Sequence, residues 1–312
     1  MPSKHRLSRW TNPERTRGIR NTLLASFFLG WSPILGKIAY AYGVTPFTLA
    51  AVRTLVAVAL LWLGYGLVWR SWLRITWREL VGCIGVGVVN GLGSLLYYSG
   101  LSRLDASLAS FLNTLYLLWV VLFLTAAGQP VHWLTLLRLA LAMGGVYLLS
   151  GATEGEPDWL GAMLMVASAA TYGWHLVLGQ WVLADIPART ATPYILTAMA
   201  ATVGLARALQ GSPVESLSTA GWSAIIALGV TTAASRVLMF SGLQRLGGIE
   251  AALLSLWELV ISLVLAFALL GERMTLLQWA GGLVLALSIL LGGGERRIRG
   301  SQLDEIIARY AG

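Results

Sequence analysis

The chain has 312 residues, of which 57 % are hydrophobic and only 12 % charged, and its mean hydropathy is +0.72. A soluble domain carries about 25 % charged residues, because its surface must be hydrated. Although the formal net charge is +8, this composition excludes a soluble enzyme, a nucleic-acid-binding protein and a disordered chain. It indicates an integral membrane protein, whose partners are the lipid bilayer and a small molecule.

Hydrophobic stretches of about 20 residues, the length that crosses the hydrocarbon core of a bilayer, recur along the whole chain. Ten transmembrane helices are predicted, at 20–41, 46–69, 79–102, 106–127, 133–151, 159–183, 190–208, 220–244, 249–270 and 275–293. They divide the chain into a basic N-terminal tail (1–19), a first five-helix unit (20–151), a second five-helix unit (159–293) and a C-terminal tail (294–312). The predicted fold class is therefore an all-α integral membrane protein.

Positive charge is concentrated at the two ends of the chain. The basic residues are Lys4, Arg6, Arg9, Arg15, Arg17 and Arg20 before the first span, and Arg296, Arg297, Arg299 and Arg309 after the last. Such clusters stay on the cytoplasmic side, and an even number of spans puts both termini on one side. We expect a multi-pass protein of the inner or plasma membrane with both termini in the cytoplasm. The lone Cys83 excludes a disulfide, and neither a metal site nor a cofactor is expected.

Two short motifs recur at almost the same spacing. Residues 30–36 (GWSPILG) are echoed 143 positions later at 173–179 (GWHLVLG), and 99–104 (SGLSRL) are echoed 142 positions later at 241–246 (SGLQRL). Five predicted spans separate the copies, an odd number, so the two units enter the membrane from opposite sides. Inverted repeats of this kind are typical of secondary transporters that work by alternating access.

The ninth predicted span and its exit carry a resemblance to a known family. The residues that carry it are 253–258 (LLSLWE), 271–275 (GERMT), Gln278 and Gly281, together with Gly30, Trp31 and Lys37 in span 1 and Pro46 and Arg53 in span 2. With these motifs the chain resembles the EamA-type branch of the drug/metabolite transporter superfamily over nearly its whole length. The resemblance implies two five-helix repeats and the export of amino acids, notably aromatic ones, or of other small metabolites. The chain departs from the family pattern at Leu259, which replaces a proline, and at Gln129, which replaces a glutamate.

Charged residues in the middle of a span are costly and are therefore functional candidates. Arg236 and Glu258 lie in consecutive spans, about 12 and 14 Å from the same membrane face. We predict that they form an ion pair or share a polar cavity, with a purely structural pair as the alternative. His175 lies at the same depth and is a candidate for proton coupling or hydrogen bonding to substrate, against the alternative of a helix–helix contact.

Other mid-span residues are candidates for lining a cavity, gating or helix packing. Trp31, Tyr97, Asn113, Tyr116 and Trp257 are candidates to line a cavity, with a lipid-facing position as the alternative for each. Pro33 is expected to kink span 1 and to act in gating. Gly87 and Gly91 form a small-residue ridge for close packing, and Arg53, about 10 Å deep, is expected to be structural.

The leading hypothesis is a secondary exporter of small organic metabolites, such as amino acids or related amphipathic compounds, acting as a monomer or a homodimer. Proton coupling and facilitated diffusion are equally compatible with the sequence. One alternative keeps the fold and changes the cargo to a sugar, a nucleotide-sugar or a lipid. Another is an intramembrane enzyme, which is disfavoured because the chain has neither a nucleophile-elbow pattern nor metal-ligand spacing. No catalytic residue is therefore assigned.

Overall fold

A computed structural model describes residues 13–68, 73–128, 133–150, 158–211, 217–272 and 275–290. Every regular element within these ranges is a helix, so the all-α prediction is confirmed for this part of the chain. Most of the two predicted tails, the acidic residues Glu154 and Glu156, and Gln129 and Arg273 of the family pattern lie outside the described residues.

Helices lie at all ten predicted positions. They are α1 (Pro13–Gly30), α2 (Ser32–Ala41), α3 (Pro46–Val68), α4 (Trp77–Leu101), α5 (Ala106–Asn113), α6 (Tyr116–Ala126), α7 (Trp133–Ser150), α8 (Trp159–Asp185), α9 (Ala188–Leu209), α10 (Thr219–Leu246), α11 (Gly248–Ser255), α12 (Trp257–Leu265) and α13 (Leu276–Leu290), with a π-helical turn at Ala266–Leu270. Within the described ranges, seven stretches are long and apolar enough to cross a membrane, namely Pro13–Ala41, Pro46–Leu67, Trp77–Leu101, Ala106–Ala126, Trp159–Asp185, Thr219–Leu246 and Gly248–Leu270. The helices α7, α9 and α13 occupy the other three predicted positions and are not among these seven.

Three of the long helical stretches are interrupted near their middle. The helices α1 and α2 meet at Trp31, and Pro33, which lacks a backbone N–H, lies in the first turn of α2. The helices α5 and α6 are separated at Thr114 and Leu115, and α11 and α12 at Leu256, where the backbone tightens into i→i−3 hydrogen bonds. Thr114 and Leu256 are 142 positions apart, the spacing of the second pair of sequence motifs. The two units therefore share the break with i→i−3 hydrogen bonds at equivalent positions.

Helices of the first unit pack against helices of the second. The helix α4 lies against α8 and α9, α10 lies against α1 and α3, and α7 packs on α13. Glycines allow the close approach: a Cβ on Gly87 of α4 would lie 2.4 Å from the carbonyl oxygen of Ile195 in α9, and one on Gly229 of α10 would lie 2.5 Å from the Val56 side chain in α3. Gly87 and Gly229 are again 142 positions apart, so equivalent helices use equivalent glycines to meet the opposite unit.

Polar side chains fix the start of α8. Asp158 precedes the helix and accepts a hydrogen bond from the N–H of Gly161 at 2.8 Å, which satisfies one of the free donors of the first turn. Arg103, which follows α4, forms an ion pair with the same carboxylate at 2.9 Å. The Gly161 N–H and the Arg103 guanidinium hold the pKa of Asp158 below its usual range. The sequence Asp-Trp-Leu-Gly therefore both starts α8 and ties it to the end of α4.

One glutamine holds the connection between α8 and α9. The side-chain amide of Gln244, in the last turns of α10, donates to the carbonyl oxygens of Leu183 and Ile186, each at 2.9 Å. Its carbonyl oxygen accepts a hydrogen bond from the N–H of Ala188 at 3.0 Å. The backbone polar groups of this short turn, which the ends of two helices would otherwise leave without partners, are thus satisfied by a third helix.

Candidate functional site

A polar cavity lies between the two units, and the empty space within it and at its mouth, part of it open to solvent, amounts to about 720 Å³. Its wall includes residues of α1 to α5 from the first unit and of α8, α10 and α12 from the second. The middle of the helical bundle, where a hydrophobic core is expected, is therefore lined by polar side chains.

Arg53 of α3 is buried in this wall and bridges two other helices. Its guanidinium donates to the Ser94 hydroxyl of α4 at 2.6 Å and to the Thr232 hydroxyl of α10 at 2.9 Å. The same group lies 4.6 Å from the centre of the Tyr98 ring, in cation–π contact. No carboxylate lies within ion-pairing distance of it among the described residues. Arg53 is thus held in place by neutral partners.

Arg236 of α10 is the second buried guanidinium in the wall. It donates to the side-chain oxygen of Asn90 in α4 at 3.2 Å and lies 3.8 Å from the sulfur of Met239. The centre of the Tyr172 ring is 5.6 Å from its carbon. Asn90 and Ser94 are one turn apart on α4, as are Thr232 and Arg236 on α10, so the two arginines are anchored on adjacent turns of the same pair of helices.

Glu258, at the start of α12, lines the same cavity and is 9 % exposed. The predicted ion pair with Arg236 is not formed, because no described cation lies within 4 Å of the carboxylate. The two side chains instead face a common polar space, which was the other arrangement predicted for them. Among the described residues of the wall, Arg53 and Arg236 are the basic groups and Glu258 is the carboxylic acid.

Aromatic and small polar side chains make up much of the remaining wall. Tyr97 and Tyr98 meet edge to face at 5.0 Å between ring centres, and Tyr172 contributes a third ring. Hydroxyl and amide groups come from both units, and they include Ser94, Ser110 and Asn113 from the first and Thr232, Ser235 and Ser262 from the second. The wall thus combines flat apolar faces with many hydrogen-bonding groups.

Several predicted site residues lie outside the wall. Tyr116 and His175 are fully buried and both contact Tyr172. The Tyr116 ring meets it edge to face with ring centres 5.0 Å apart, and the His175 ring stacks on it with ring centres 5.8 Å apart. The Tyr116 hydroxyl donates to the carbonyl oxygen of Ala252, and His175 Nδ1 lies 3.4 Å from the carbonyl oxygen of Val86. Tyr116 and His175 therefore pack against the cavity residue Tyr172 and do not themselves line the cavity.

Both predicted tryptophans are also absent from the wall. Trp31 and Trp257 are partly buried and lie at helix breaks, where the backbone turns the side chain of the neighbouring residue, Ser32 or Glu258, towards the cavity instead. The predicted residues that do line the cavity are Tyr97, Asn113, Arg236 and Glu258, joined by Pro33 and Arg53.

The glycine ridge of α4 has a packing role in the structure. Gly87 meets the backbone of α9, and a Cβ on Gly91 would lie 2.7 Å from the Thr202 side chain of the same helix. Sequence reasoning placed Asn90 between these glycines without assigning it to the cavity, and it did not identify Tyr98 or Tyr172 as site residues. A polar residue within a small-residue ridge was the available signal for Asn90.

The N-termini of α5 and α11, which are 142 positions apart, each receive a side-chain oxygen. The Glu272 carboxylate accepts hydrogen bonds from the N–H groups of Ala106 and Ser107, at 3.2 and 3.3 Å, and from the Ser107 hydroxyl. The Gln180 side-chain oxygen accepts a hydrogen bond from the N–H of Gly248. Each broken helix is thus capped from a distant part of the chain.

The apolar helices and the polar cavity between them define a multi-pass membrane protein of the solute-transporter class. The chain belongs to the EamA-like transporter family, whose model matches it twice, over residues 16–151 and 159–292. The resemblance seen in the sequence is thereby confirmed, and this membership points to a transporter rather than an enzyme.

One curated relative agrees with this assignment, and one solved structure shares the fold. The chain is 30 % identical over 259 residues to the uncharacterized transporter YcbK of Bacillus subtilis (strain 168), an overlap that covers 78 % of this chain and 82 % of the relative. It also shares its fold with a protein of known crystal structure, with a TM-score of 0.74 and 20 % sequence identity over 91 % of this chain and 99 % of the other.

Proposed function

We propose that the protein is a secondary transporter that moves small organic metabolites, such as amino acids including aromatic ones or related amphipathic compounds, out of the cell by alternating access. The observation that carries the proposal is the polar cavity built jointly by the two units. A rearrangement of one unit against the other would change which side of the membrane this cavity faces. The aromatic rings and hydroxyl groups of Tyr97, Tyr98 and Tyr172 suit a flat or amphipathic solute.

The inverted arrangement of the two units is part of this proposal. The helices α4 and α10 are equivalent in the two repeats, and their residues pair in opposite order: Asn90 bonds to Arg236, whereas Ser94 and Thr232 share Arg53. This order supports an antiparallel arrangement of the two helices. An antiparallel relation between equivalent helices is the one required of inverted repeats with five spans each.

Ten spans with both termini in the cytoplasm make a direct topological prediction. A reporter fused after Thr153 would follow five spans, and one fused at Gly312 would follow ten, so the two reporters should lie on opposite sides of the membrane. A pair of reporters that are each active on only one side, such as alkaline phosphatase and green fluorescent protein, distinguishes the two locations. Finding both fusion points in the same compartment would remove the inverted arrangement.

Transport itself is tested by counterflow in proteoliposomes loaded with unlabelled solute. Radiolabelled amino acids, sugars and organic cations are offered in parallel, and we expect uptake of at least one amino acid above that of protein-free vesicles. Glu258→Gln and Arg236→Gln should each lower the initial rate at least tenfold, whereas Arg103→Gln, in a loop away from the cavity, should not. Counterflow of none of these solutes would contradict the proposed function, and unchanged rates in both cavity variants would contradict the assigned site.

Coupling to protons is assigned to Glu258 in this proposal. It is the acidic group among the described residues of the cavity wall, and it has no ion-pair partner there. A proton gradient imposed across wild-type proteoliposomes should then drive accumulation above equilibrium. Glu258→Gln, which still exchanges solute at its reduced rate, should reach equilibrium without accumulation. Equilibration without accumulation in the wild type would indicate facilitated diffusion instead.

A further inference from the structure

The described cavity wall holds more basic than acidic side chains, so its charges do not cancel. Arg53 and Arg236 keep their positive charges at any physiological pH, because a guanidinium is not deprotonated in proteins. They face one carboxyl group, that of Glu258. The described wall therefore carries a net positive charge whether Glu258 is ionised or not. Buried charges in proteins are normally paired, so a counter-charge is missing.

We infer that Arg53 and Arg236 together bind the carboxylate of a monoanionic solute. The inference deepens the proposed transport function and rests on it in so far as the bound solute is also the transported one. In an amino acid the group bound would be the α-carboxylate, and the ammonium group would face Glu258. An organic cation would lack the group that the two arginines need.

Unused hydrogen-bond donors support an anionic ligand. A guanidinium has five N–H donors, and the described contacts of Arg53 go to two hydroxyl groups, while those of Arg236 go to one amide oxygen and one sulfur. The Nε atoms of both arginines and the Nδ2 atom of Asn90 are buried without a hydrogen-bond partner. All three unpartnered atoms are donors, so the site lacks acceptors. A carboxylate supplies two acceptor oxygens and a negative charge.

The surroundings of the two guanidinium groups also favour this role. Each lies against the face of a tyrosine, Tyr98 at 4.6 Å and Tyr172 at 5.6 Å. Stacking on a ring occupies the face of the guanidinium plane and leaves its N–H edges available for a planar carboxylate. Because the neighbouring groups are neutral, they orient the arginines without neutralising them. The anchoring contacts therefore form a prepared site rather than an internal ion pair.

The charge balance depends on the proton of Glu258. A monocarboxylate neutralises the wall when Glu258 is ionised, because two positive charges then face one negative charge from the protein and one from the solute. A phosphate dianion balances the wall only when Glu258 is protonated. Charge alone therefore does not separate the two anions, and the aromatic rings beside the guanidinium groups favour the carboxylate of a flat organic solute over inorganic phosphate.

The test measures thermal unfolding of the full-length protein in detergent with isosteric compounds. 3-Phenylpropanoate, 3-phenylpropanamide and 3-phenylpropylamine share one skeleton and differ in carrying an anionic, a neutral or a cationic end. Inorganic phosphate is the fourth probe. We expect only 3-phenylpropanoate to raise the melting temperature in a concentration-dependent manner. Equal or larger shifts with the amide, the amine or phosphate would overturn the inference, as would the absence of any shift with the carboxylate.

Variants connect the binding to the two arginines. Arg53→Gln and Arg236→Gln should each weaken the apparent affinity for 3-phenylpropanoate about 10- to 100-fold, the range for losing a hydrogen bond to a charged group. Arg53→Lys keeps the charge but loses the planar edge, and it should fall between wild type and Arg53→Gln. Arg103→Gln is the matched control and should bind as wild type does. Wild-type affinity in both glutamine variants would place the carboxylate elsewhere and refute the inference.

The two proposals can fail separately. If wild-type proteoliposomes exchange a solute but the protein shows no preference for the carboxylate probe, the transport function stands and the carboxylate site is wrong. If the carboxylate probe binds through Arg53 and Arg236 but no solute crosses the vesicle membrane, the site stands and the transport function is wrong.

Discussion

Replacing Gly87 by alanine tests the contact between α4 and α9. The added Cβ would lie 2.4 Å from the carbonyl oxygen of Ile195 and 3.0 Å from the backbone nitrogen of Met199, atoms that cannot rotate away. Overpacking costs about 1–3 kcal/mol, and the rigid backbone neighbours place this site near 3. Alanine regains about 1 kcal/mol of helix propensity. The net loss of about 2 kcal/mol should lower the melting temperature of the solubilised protein by about 4–8 °C, using values for soluble domains of 150–250 residues.

Two other glycine substitutions control this experiment. Gly85 lies on the same helix with no atom within 4 Å of its would-be Cβ, so Gly85→Ala should melt at or above the wild-type temperature. Gly229→Ala should also melt below the wild type, because its added Cβ would lie 2.6 Å from the Val56 Cβ and 3.0 Å from the Arg53 carbonyl oxygen, atoms that side-chain rotation does not move. If Gly87→Ala melted at or above the temperature of Gly85→Ala, the argument that backbone contact limits this helix pair would be refuted.

Three further outcomes follow from other contacts. Glu272→Ala removes the acceptor at the start of α5, which is worth about 1–2 kcal/mol, and it should speed the labelling of Ser110→Cys on that helix by an impermeant maleimide about 5- to 30-fold. Glu79→Ala, which affects only the first turn of α4, should not, and equal effects of the two would contradict a stabilising contact specific to α5. His175→Gln should lower the melting temperature and leave transport per folded molecule within about twofold, because His175 is fully buried outside the cavity wall; loss of transport at normal stability would show that it acts directly. Cys83 is fully buried, so it should react with maleimide only after unfolding, and rapid labelling of the native protein would place it elsewhere.

Hydropathy alone located the helices, because crossing a bilayer imposes both a length and a composition. The breaks were only partly predictable. Pro33 predicts the helix break between α1 and α2. Thr114 and Leu256, by contrast, are residues that continue a helix in most settings. Their interruption depends on packing between the units, for which the local sequence holds no signal. The shared spacing of 142 positions connects these two breaks to the repeat, but only after the structure has located them.

Of the cavity residues, those that are charged and lie deep in a span could be predicted from the sequence. Arg236 and Glu258 are predicted to lie together because they lie at similar depth from the same membrane face, and in the structure they face one space. Trp257 and His175 were less predictable, because a helix that is apolar on all sides gives no periodic indication of which face meets which neighbour. Side-chain direction then depends on the rotation of each helix, which is set by the completed bundle.

The contacts of Gln244 have a mechanical consequence. One amide group fastens the last turn of α8, the bend that follows it and the first residue of α9 to α10. Moving α8, α9 or α10 relative to the others at this bend would therefore require breaking hydrogen bonds to this single side chain.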